Sequence, residues 1–142
     1  MRLAGYIGAA GLALGLVASA GVSGAQAAEA GLSGYQGAWV LGGRDCADVY
    51  ASAGKGPSFK KPLDIFAPAF VVSGNRLRTP AASCRIKAVR SMSDRQVLTL
   101  DCANLVAANE VRVIMATSPN GGLKRYYSDQ DPTGVEYQRC SR

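Results

Sequence analysis

The chain has 142 residues, a formal net charge of +6 and no histidine. The missing histidine removes the usual general base near neutral pH, the Ser-His-Asp and Cys-His arrangements of nucleophilic catalysis, and the commonest transition-metal ligand. No spacing of acids, hydroxyls and lysines supplies a substitute. We therefore expect a non-catalytic protein with no metal and no cofactor.

Residues 1–27 have the three parts of a secretory signal peptide. Arg2 supplies the positive start, residues 3–17 are apolar and uncharged, and Ala25-Gln26-Ala27 is a small-residue cleavage site. Glycines and serines interrupt the apolar run, which disfavours a membrane-spanning helix. The sequence predicts cleavage after Ala27, a mature protein in the periplasm or outside the cell, and no transmembrane segment after cleavage.

The mature chain is short enough for one domain. We expect a flexible lead-in over residues 28–36 and a single β domain over 37–142. Removing the leader leaves a net charge of +5. The excess of positive charge lies in residues 55–95, which contain nine basic residues and only two acidic ones. Such a basic region suits an anionic partner, although a solvated face that keeps a small protein soluble explains it as well.

Strand-like segments follow one another with turn residues between them and no sustained helical periodicity. Gly74-Asn75 and Asn120-Gly121 are hairpin signals, and the first sets Val72 against Leu77 and Phe70 against Thr79. Residues 104–109 form a helical turn or a loop, and residues 52–62 form a loop rich in glycine, proline and lysine. The predicted strands are 37–41, 46–50, 65–72, 76–79, 83–90, 96–102, 111–117, 123–127 and 135–140.

Four cysteines in a small exported chain predict two disulfides, because the intervals match no zinc motif. A hairpin centred on Ser93 places Cys84 opposite Cys102. The same register faces Ile86 with Leu100, Ala88 with Leu98, Arg85 with Asp101, and Lys87 with Thr99. We therefore predict the disulfide Cys84–Cys102, and by elimination Cys46–Cys140, which joins the first and last strand regions.

Sequential hairpins and a bond between the chain's two ends predict an all-β antiparallel meander. A closed barrel of about eight strands suits this pattern best, and a β-sandwich is the alternative. Alternation within the strands places Arg76 and Arg78 on one face, and Arg85 and Lys87 on one face of the next strand. If these strands are neighbours, the four side chains form a cationic patch, to which Lys60 and Lys61 of the preceding loop add charge.

Gly37-Ala38-Trp39, at the start of the first strand, resembles the G-x-W of lipocalin-type barrels, in which the tryptophan closes one end. It is also similar to the opening of the alkaline protease inhibitor family, small exported bacterial β-barrels of about this length. That resemblance implies that residues 28–36 enter a metalloprotease cleft. The chain also resembles many small exported proteins of Gram-negative bacteria.

The sequence thus predicts a periplasmic binding or structural β-barrel that uses its interior or its basic surface. The alternative is an inhibitor of a secreted metalloprotease. The expected partner is an envelope component or a protease, and nucleic acid is not expected.

Overall fold

The computed structural model describes residues 31–51 and 56–141. The predicted signal peptide and its cleavage site, residues 28–30 of the lead-in, residues 52–55 and residue 142 lie outside the described residues. Eight strands of the described chain close into one antiparallel barrel. This confirms the all-β barrel and excludes the sandwich. None of the helices in the described ranges is long and apolar enough to cross a membrane.

The barrel is an up-and-down meander in which β1 closes the ring between β10 and β4. A two-stranded ribbon, β2 with β3, lies outside it. Besides the strands, the described residues include a 3₁₀ turn at Ser33–Tyr35 and a short helix, α1, at Cys46–Val49. The strands are β1 Gly37–Leu41, β2 Tyr50–Ala51, β3 Ser58–Phe59, β4 Ala69–Ser73, β5 Arg76–Arg78, β6 Ser83–Met92, β7 Arg95–Ala103, β8 Ala108–Thr117, β9 Leu123–Tyr126 and β10 Val135–Ser141.

Successive antiparallel strands place their connections alternately at the two ends of the barrel. The turns after β4, β6 and β8 lie at one end, which the chain from residue 31 also covers. We call this the closed end. The connections after β1, β5, β7 and β9 lie at the other end, which we call the open end.

The described part of the lead-in, residues 31–36, is packed into the closed end. Leu32 and Tyr35 are buried in the barrel core. The Gln36 side-chain amide accepts a hydrogen bond from the Gly74 backbone N–H at 2.8 Å and donates one to the Gly74 carbonyl at 2.9 Å. Residues 31–36 therefore pack against the barrel, because two large apolar side chains of this segment enter its core.

Alternation along the strands produces an apolar lumen and a partly covered outside. The lumen holds Trp39, Phe70, Leu98 and Leu100. On the outer face, Val40 and Val71 are covered by α1 and the β2–β3 ribbon. The molecule therefore has an internal core and a second apolar layer on one side of the barrel.

Residues 46–50 are not the strand that the sequence predicts. Asp45 has extended backbone dihedrals, and its carboxylate accepts a hydrogen bond from the Ala47 N–H at 2.9 Å. This is an N-cap, and it starts α1 at Cys46. Only residues 50–51 are extended, so local capping overrides the apolar pattern here.

The hairpin β6–β7 has the predicted register at its open-end half and a different one beyond. Cys84 faces Cys102 and Ile86 faces Leu100, as predicted. A β-bulge at Lys87 then shifts the ladder by one residue, so Val89 rather than Ala88 faces Leu98. The predicted pairs Ala88–Leu98 and Lys87–Thr99 are wrong because the hairpin closes with a two-residue turn, Ser93-Asp94, instead of a turn centred on Ser93.

Other boundaries differ by a few residues. β4 begins only at Ala69, after a turn over residues 64–67 and Pro68, and β8 begins at Ala108 rather than 111. The Val72–Leu77 pair is confirmed, but β5 ends at Arg78, so Thr79 does not join the ladder with Phe70. Residues 104–107 form a loop.

Both predicted disulfides are confirmed, Cys46–Cys140 and Cys84–Cys102. They occupy different surfaces of the sheet. Cys84 and Cys102 belong to the luminal core, whereas Cys46 and Cys140 pack with the outer layer. The Cys84–Cys102 disulfide therefore joins the adjacent strands β6 and β7 on the luminal face of the sheet. The Cys46–Cys140 disulfide joins α1 to the outer face of β10.

Candidate functional site

The open half of the lumen contains a cavity of about 280 Å³. Its walls come from strands β4 to β9 and from the connections after β5 and β7. Most of the lining is apolar, including Phe70, Leu77, Val113 and Met115, together with the Cys84–Cys102 disulfide. A concave, mostly apolar cavity with a few polar groups is the usual form of a small-molecule site, and its volume is near the small end of that class.

Arg125 is the charged side chain among the residues that line this cavity. It shares the luminal face of β9 with Leu123, two residues earlier, which is fully buried in the core. Its guanidinium lies 4.9 Å from the centre of the Tyr127 ring. No carboxylate of the described residues forms an ion pair with it. The cavity therefore has a positive group that no acidic side chain there neutralises.

Tyr137 reaches the same region from β10. Burial raises the pKa of its hydroxyl, while the charge of Arg125 and a hydrogen bond with it act in the opposite direction. The phenol is therefore protonated at neutral pH and is a second polar group beside Arg125. Thr79, Asn104 and Asn109 supply further polar side chains at the mouth.

Trp39 lies fully buried between the cavity and the closed end. Its indole Nε1 donates a hydrogen bond to the Tyr35 carbonyl at 2.8 Å, and the Arg139 guanidinium lies 4.3 Å from its ring centre. Arg139 also donates hydrogen bonds to the carbonyls of Gln36 and Gly34. The predicted barrel-end tryptophan is therefore clamped between the N-terminal turn and the last strand.

Gly37 explains why a small residue precedes the tryptophan. Its φ is +116°, and a Cβ at this position would lie 2.1 Å from the Ser141 carbonyl oxygen. Only glycine tolerates both this backbone conformation and the close approach of β10. The G-x-W pattern therefore has a local steric reason in this fold.

The structure brings the predicted basic residues of β5 and β6 together on the outside of the barrel, with Arg76 directly opposite Arg85. Their environments differ. Arg85 forms an ion pair with Asp101 at 3.4 Å, and Lys87 contacts Asp101 at 3.5 Å and Glu110 at 2.8 Å. The hydrogen bond to Glu110, followed by the charge of Asp101, raises the pKa of Lys87.

Arg76 and Arg78 are exposed on the same face and form no ion pair with the described residues. The Lys60 ammonium donates a hydrogen bond to the Ala47 carbonyl at 3.2 Å. Lys60 and Lys61 line a shallow depression together with Pro80, which follows β5. Of the predicted patch, Arg76 and Arg78 on β5 form no ion pair with the described residues, whereas Lys60 and Lys61 share their depression with the carboxylates of Asp48 and Asp64.

The sequence pattern does not predict the inward position of Arg125, the turn at 64–67, or the exposure of the apolar side chains in the expected loop at 104–107. Lys124 and Arg125 are adjacent charges in one strand, so alternation alone did not show which of them faces inward. Once the pairing of β9 places Leu123 in the lumen, alternation places Arg125 in the lumen and Lys124 on the outer face. The turns at 64–67 and 104–107 contain no glycine or proline that would mark them as tight turns.

No cluster of three or more potential metal ligands occurs within residues 31–51 and 56–141. Compared with protein-family models, with curated proteins and with solved structures, the chain matches none of them. The geometry of the cavity and of its rim therefore carries the functional argument.

Proposed function

We propose that this protein is a non-catalytic binding barrel whose open half holds a small amphipathic molecule with an apolar body and an acidic head. The main support for the proposal is the position of Arg125, a charged side chain in the lining of an otherwise uncharged cavity. The Arg125 guanidinium is hydrogen-bonded to Tyr137 and lies over the Tyr127 ring, but it has no anionic partner among the described residues, so a bound anion would further offset the lost hydration of its charge. A ligand carboxylate or phosphate would form charge-assisted hydrogen bonds with the guanidinium, while its apolar part would lie against Phe70, Leu77 and Met115.

The two disulfides suit an oxidising compartment, so we place the protein in the periplasm or outside the cell. The luminal disulfide also holds the cavity wall at the mouth. A pre-formed wall lowers the conformational cost of binding.

Insertion of residues 28–36 into a protease cleft finds less support. Withdrawal of residues 31–36 from the closed end would expose Leu32 and Tyr35 and break the hydrogen bond from Trp39 to Tyr35. Inhibition by this segment would have to overcome that loss of packing.

The test is titration of the oxidised protein, purified after export, with decanoate, decanol and decylammonium. The three probes have the same chain and differ in head-group charge. We expect decanoate to bind at least tenfold more tightly than decanol, and decylammonium to bind most weakly. Arg125→Met keeps the apolar stem and removes the charge, so it should cancel the preference for decanoate.

Lys124→Met is the matched control, since it removes the same charge from the adjacent residue on the outer face. It should change the decanoate affinity less than twofold. Equal affinity for decanoate and decylammonium, or an unchanged preference in Arg125→Met, would rule out the proposed role of Arg125. Failure of all three probes to bind at millimolar concentration would exclude amphiphile binding in the lumen.

A further inference from the structure

Two turns at the open end have the same construction. Asp64-Ile65-Phe66-Ala67 lies on the connection between β1 and β4, and Asn104-Leu105-Val106-Ala107 joins β7 to β8. In each turn, an Asp or Asn is followed by two large apolar residues and an alanine. Each turn is closed by side-chain-to-backbone hydrogen bonds of the Asx type.

The hydrogen bonds correspond in the two turns. The Asp64 Oδ1 accepts from the Phe66 N–H at 2.9 Å, and the Asn104 Oδ1 accepts from the Val106 N–H at 2.9 Å. The Asn104 Oδ1 also accepts from the Ala107 N–H at 2.8 Å. These hydrogen bonds hold the backbone of each turn in one conformation, with the two apolar residues at its tip.

The four tip side chains point into solvent. Their exposed fractions are 52% for Ile65, 85% for Phe66, 104% for Leu105 and 90% for Val106. No large apolar side chain among the residues described is exposed in the three closed-end turns. The other exposed large apolar side chains of the described residues, Leu63, Val111 and Tyr127, also lie outside the closed-end turns. A cluster of exposed apolar groups at one end of a small protein marks an interaction surface.

The charge between the two turns identifies the partner. β5 and β6 lie between β4, into which the first turn leads, and β7, from which the second turn leaves. On their outer face, Arg76 and Arg78 form no ion pair with the described residues; Arg78 ends β5 at the open end, and Arg76 lies two residues farther from that end on the same short strand. Lys60 and Lys61 precede the first turn. Apolar tips flanking a cationic face match a bilayer with anionic head groups, since the tips enter the interface while the cations stay at the head-group level.

We propose that the open end of the barrel docks on an anionic membrane surface through the apolar pairs Ile65-Phe66 and Leu105-Val106, with Arg76 and Arg78 at the head groups. This docking does not depend on whether the cavity holds a ligand. It would place the cavity mouth against the lipid, because Asn104 and Ala107 of the second turn also line the cavity.

The first experiment measures where the protein touches the lipid. Phe66→Trp and Leu105→Trp each add a fluorophore at a tip, and Asp94→Trp adds one at the exposed turn of the closed end, while Trp39 stays buried in all three. Vesicles of phosphatidylcholine with phosphatidylglycerol carry bromine on their acyl chains as the quencher. We expect quenching of the tryptophans at positions 66 and 105 and little quenching at position 94. Equal quenching at all three positions would overturn the proposal, because contact would not be specific to the open end.

The second experiment measures partition into the same vesicles without bromine. Phe66→Ser combined with Leu105→Ser should lower the partition coefficient at least tenfold, and Arg76→Glu combined with Arg78→Glu should lower it to a similar extent at low salt. Arg90→Glu, on the closed-end half of β6, is the matched charge control and should change partition less than twofold.

Two outcomes contradict the docking. The first is equal binding to vesicles of phosphatidylcholine alone, because the cationic face would then contribute nothing. The second is self-association that Phe66→Ser with Leu105→Ser abolishes, in a protein that does not bind vesicles. A second copy of the chain would then be the occupant of this surface. Since decanoate titration uses no vesicles, its result is separate from both.

Discussion

The indole N–H of Trp39 donates to the carbonyl of Tyr35, four residues earlier in the chain. This hydrogen bond joins the first strand to the N-terminal turn and thereby fixes the segment that closes one end of the barrel. Tyr35 and Leu32 fill the space beneath the tryptophan. The closed end is therefore built from residues that precede the barrel in sequence.

Replacing the buried side chains of this segment by alanine should destabilise the whole domain. Leu32→Ala and Tyr35→Ala remove fully buried side chains, and we expect each to lower the free energy of unfolding by about 2–5 kcal/mol. Equilibrium urea unfolding followed by circular dichroism measures the change. Ser33→Ala, at an exposed position of the same turn, should have an effect below about 0.5 kcal/mol. Near-zero effects at Leu32 and Tyr35 would show that the segment is not part of the folded core.

The two disulfides should differ in their contribution to stability. In the chain-entropy model, the sequence separations of 18 and 94 residues correspond to about 3 and about 4–5 kcal/mol. We expect Cys46→Ala with Cys140→Ala to destabilise the domain more than Cys84→Ala with Cys102→Ala, in the same urea assay. The luminal pair has a second expected effect: its removal should weaken decanoate binding, whereas removal of the outer pair should not. Reversal of the binding effect would show that the luminal bond does not shape the cavity.

Tyr50 should be a source of alkaline sensitivity. Its hydroxyl oxygen lies 2.7 Å from the Trp39 carbonyl oxygen and 2.9 Å from the Phe70 carbonyl oxygen, so the hydroxyl can donate a hydrogen bond to either of them. Burial raises the pKa of this hydroxyl to about 12. Burial also raises the pKa of Tyr35 to about 12. Because both values lie above the ordinary value of 10.0, their contribution to stability is complete below pH 10 and is lost as the pH rises towards 12.

The measurement is urea unfolding of the wild-type protein and of Tyr50→Phe between pH 8 and pH 11. The variant should lose about 1–2 kcal/mol at pH 8, where it lacks the hydrogen bonds of the hydroxyl. The difference between the two proteins should then shrink as the pH rises. Tyr127→Phe, at an exposed position, should follow the wild-type curve, and a pH-independent difference for Tyr50→Phe would contradict the assignment.

Asp131 should contribute to stability above pH 4 by organising the connection between β9 and β10. Its carboxylate accepts hydrogen bonds from the N–H groups of Gly134, Tyr127 and Thr133 at 3.0, 3.2 and 3.2 Å. These bonds lower the pKa of the carboxyl below 3.8, so their contribution is present above that pH and is lost as the pH falls through the folded-state pKa.

We therefore expect Asp131→Asn to be less stable than the wild-type protein at pH 7 and to approach it at low pH. Acid titration of the urea midpoint measures this convergence. Asp129→Asn is the control on the same connection, since its side chain is exposed and forms no ion pair with the described residues. An Asp131→Asn deficit that persists unchanged at the lowest pH would disprove the carboxylate's role.

The sequence by itself determined the class of fold and both disulfides. Short apolar segments between turn residues have few architectures open to them, and alternation in an antiparallel hairpin allows one register near Cys84 and Cys102. The alternation of side chains does not predict the bulge at Lys87. A ladder can absorb one extra residue at little cost, and only the geometry of the two-residue turn at Ser93-Asp94 requires it.

Only the tertiary structure decided what the ends of the barrel are. Leu32 and Tyr35 sit in a stretch of small and polar residues, and nothing local shows that a closed sheet provides a pocket for them. Whether Lys124 or Arg125 faces inward depends on the pairing of β9 with its neighbours. The approach of the two Asx turns to one rim depends on the order of strands around the barrel. These are long-range relationships, and they are set by closure of the sheet rather than by any residue's own preference.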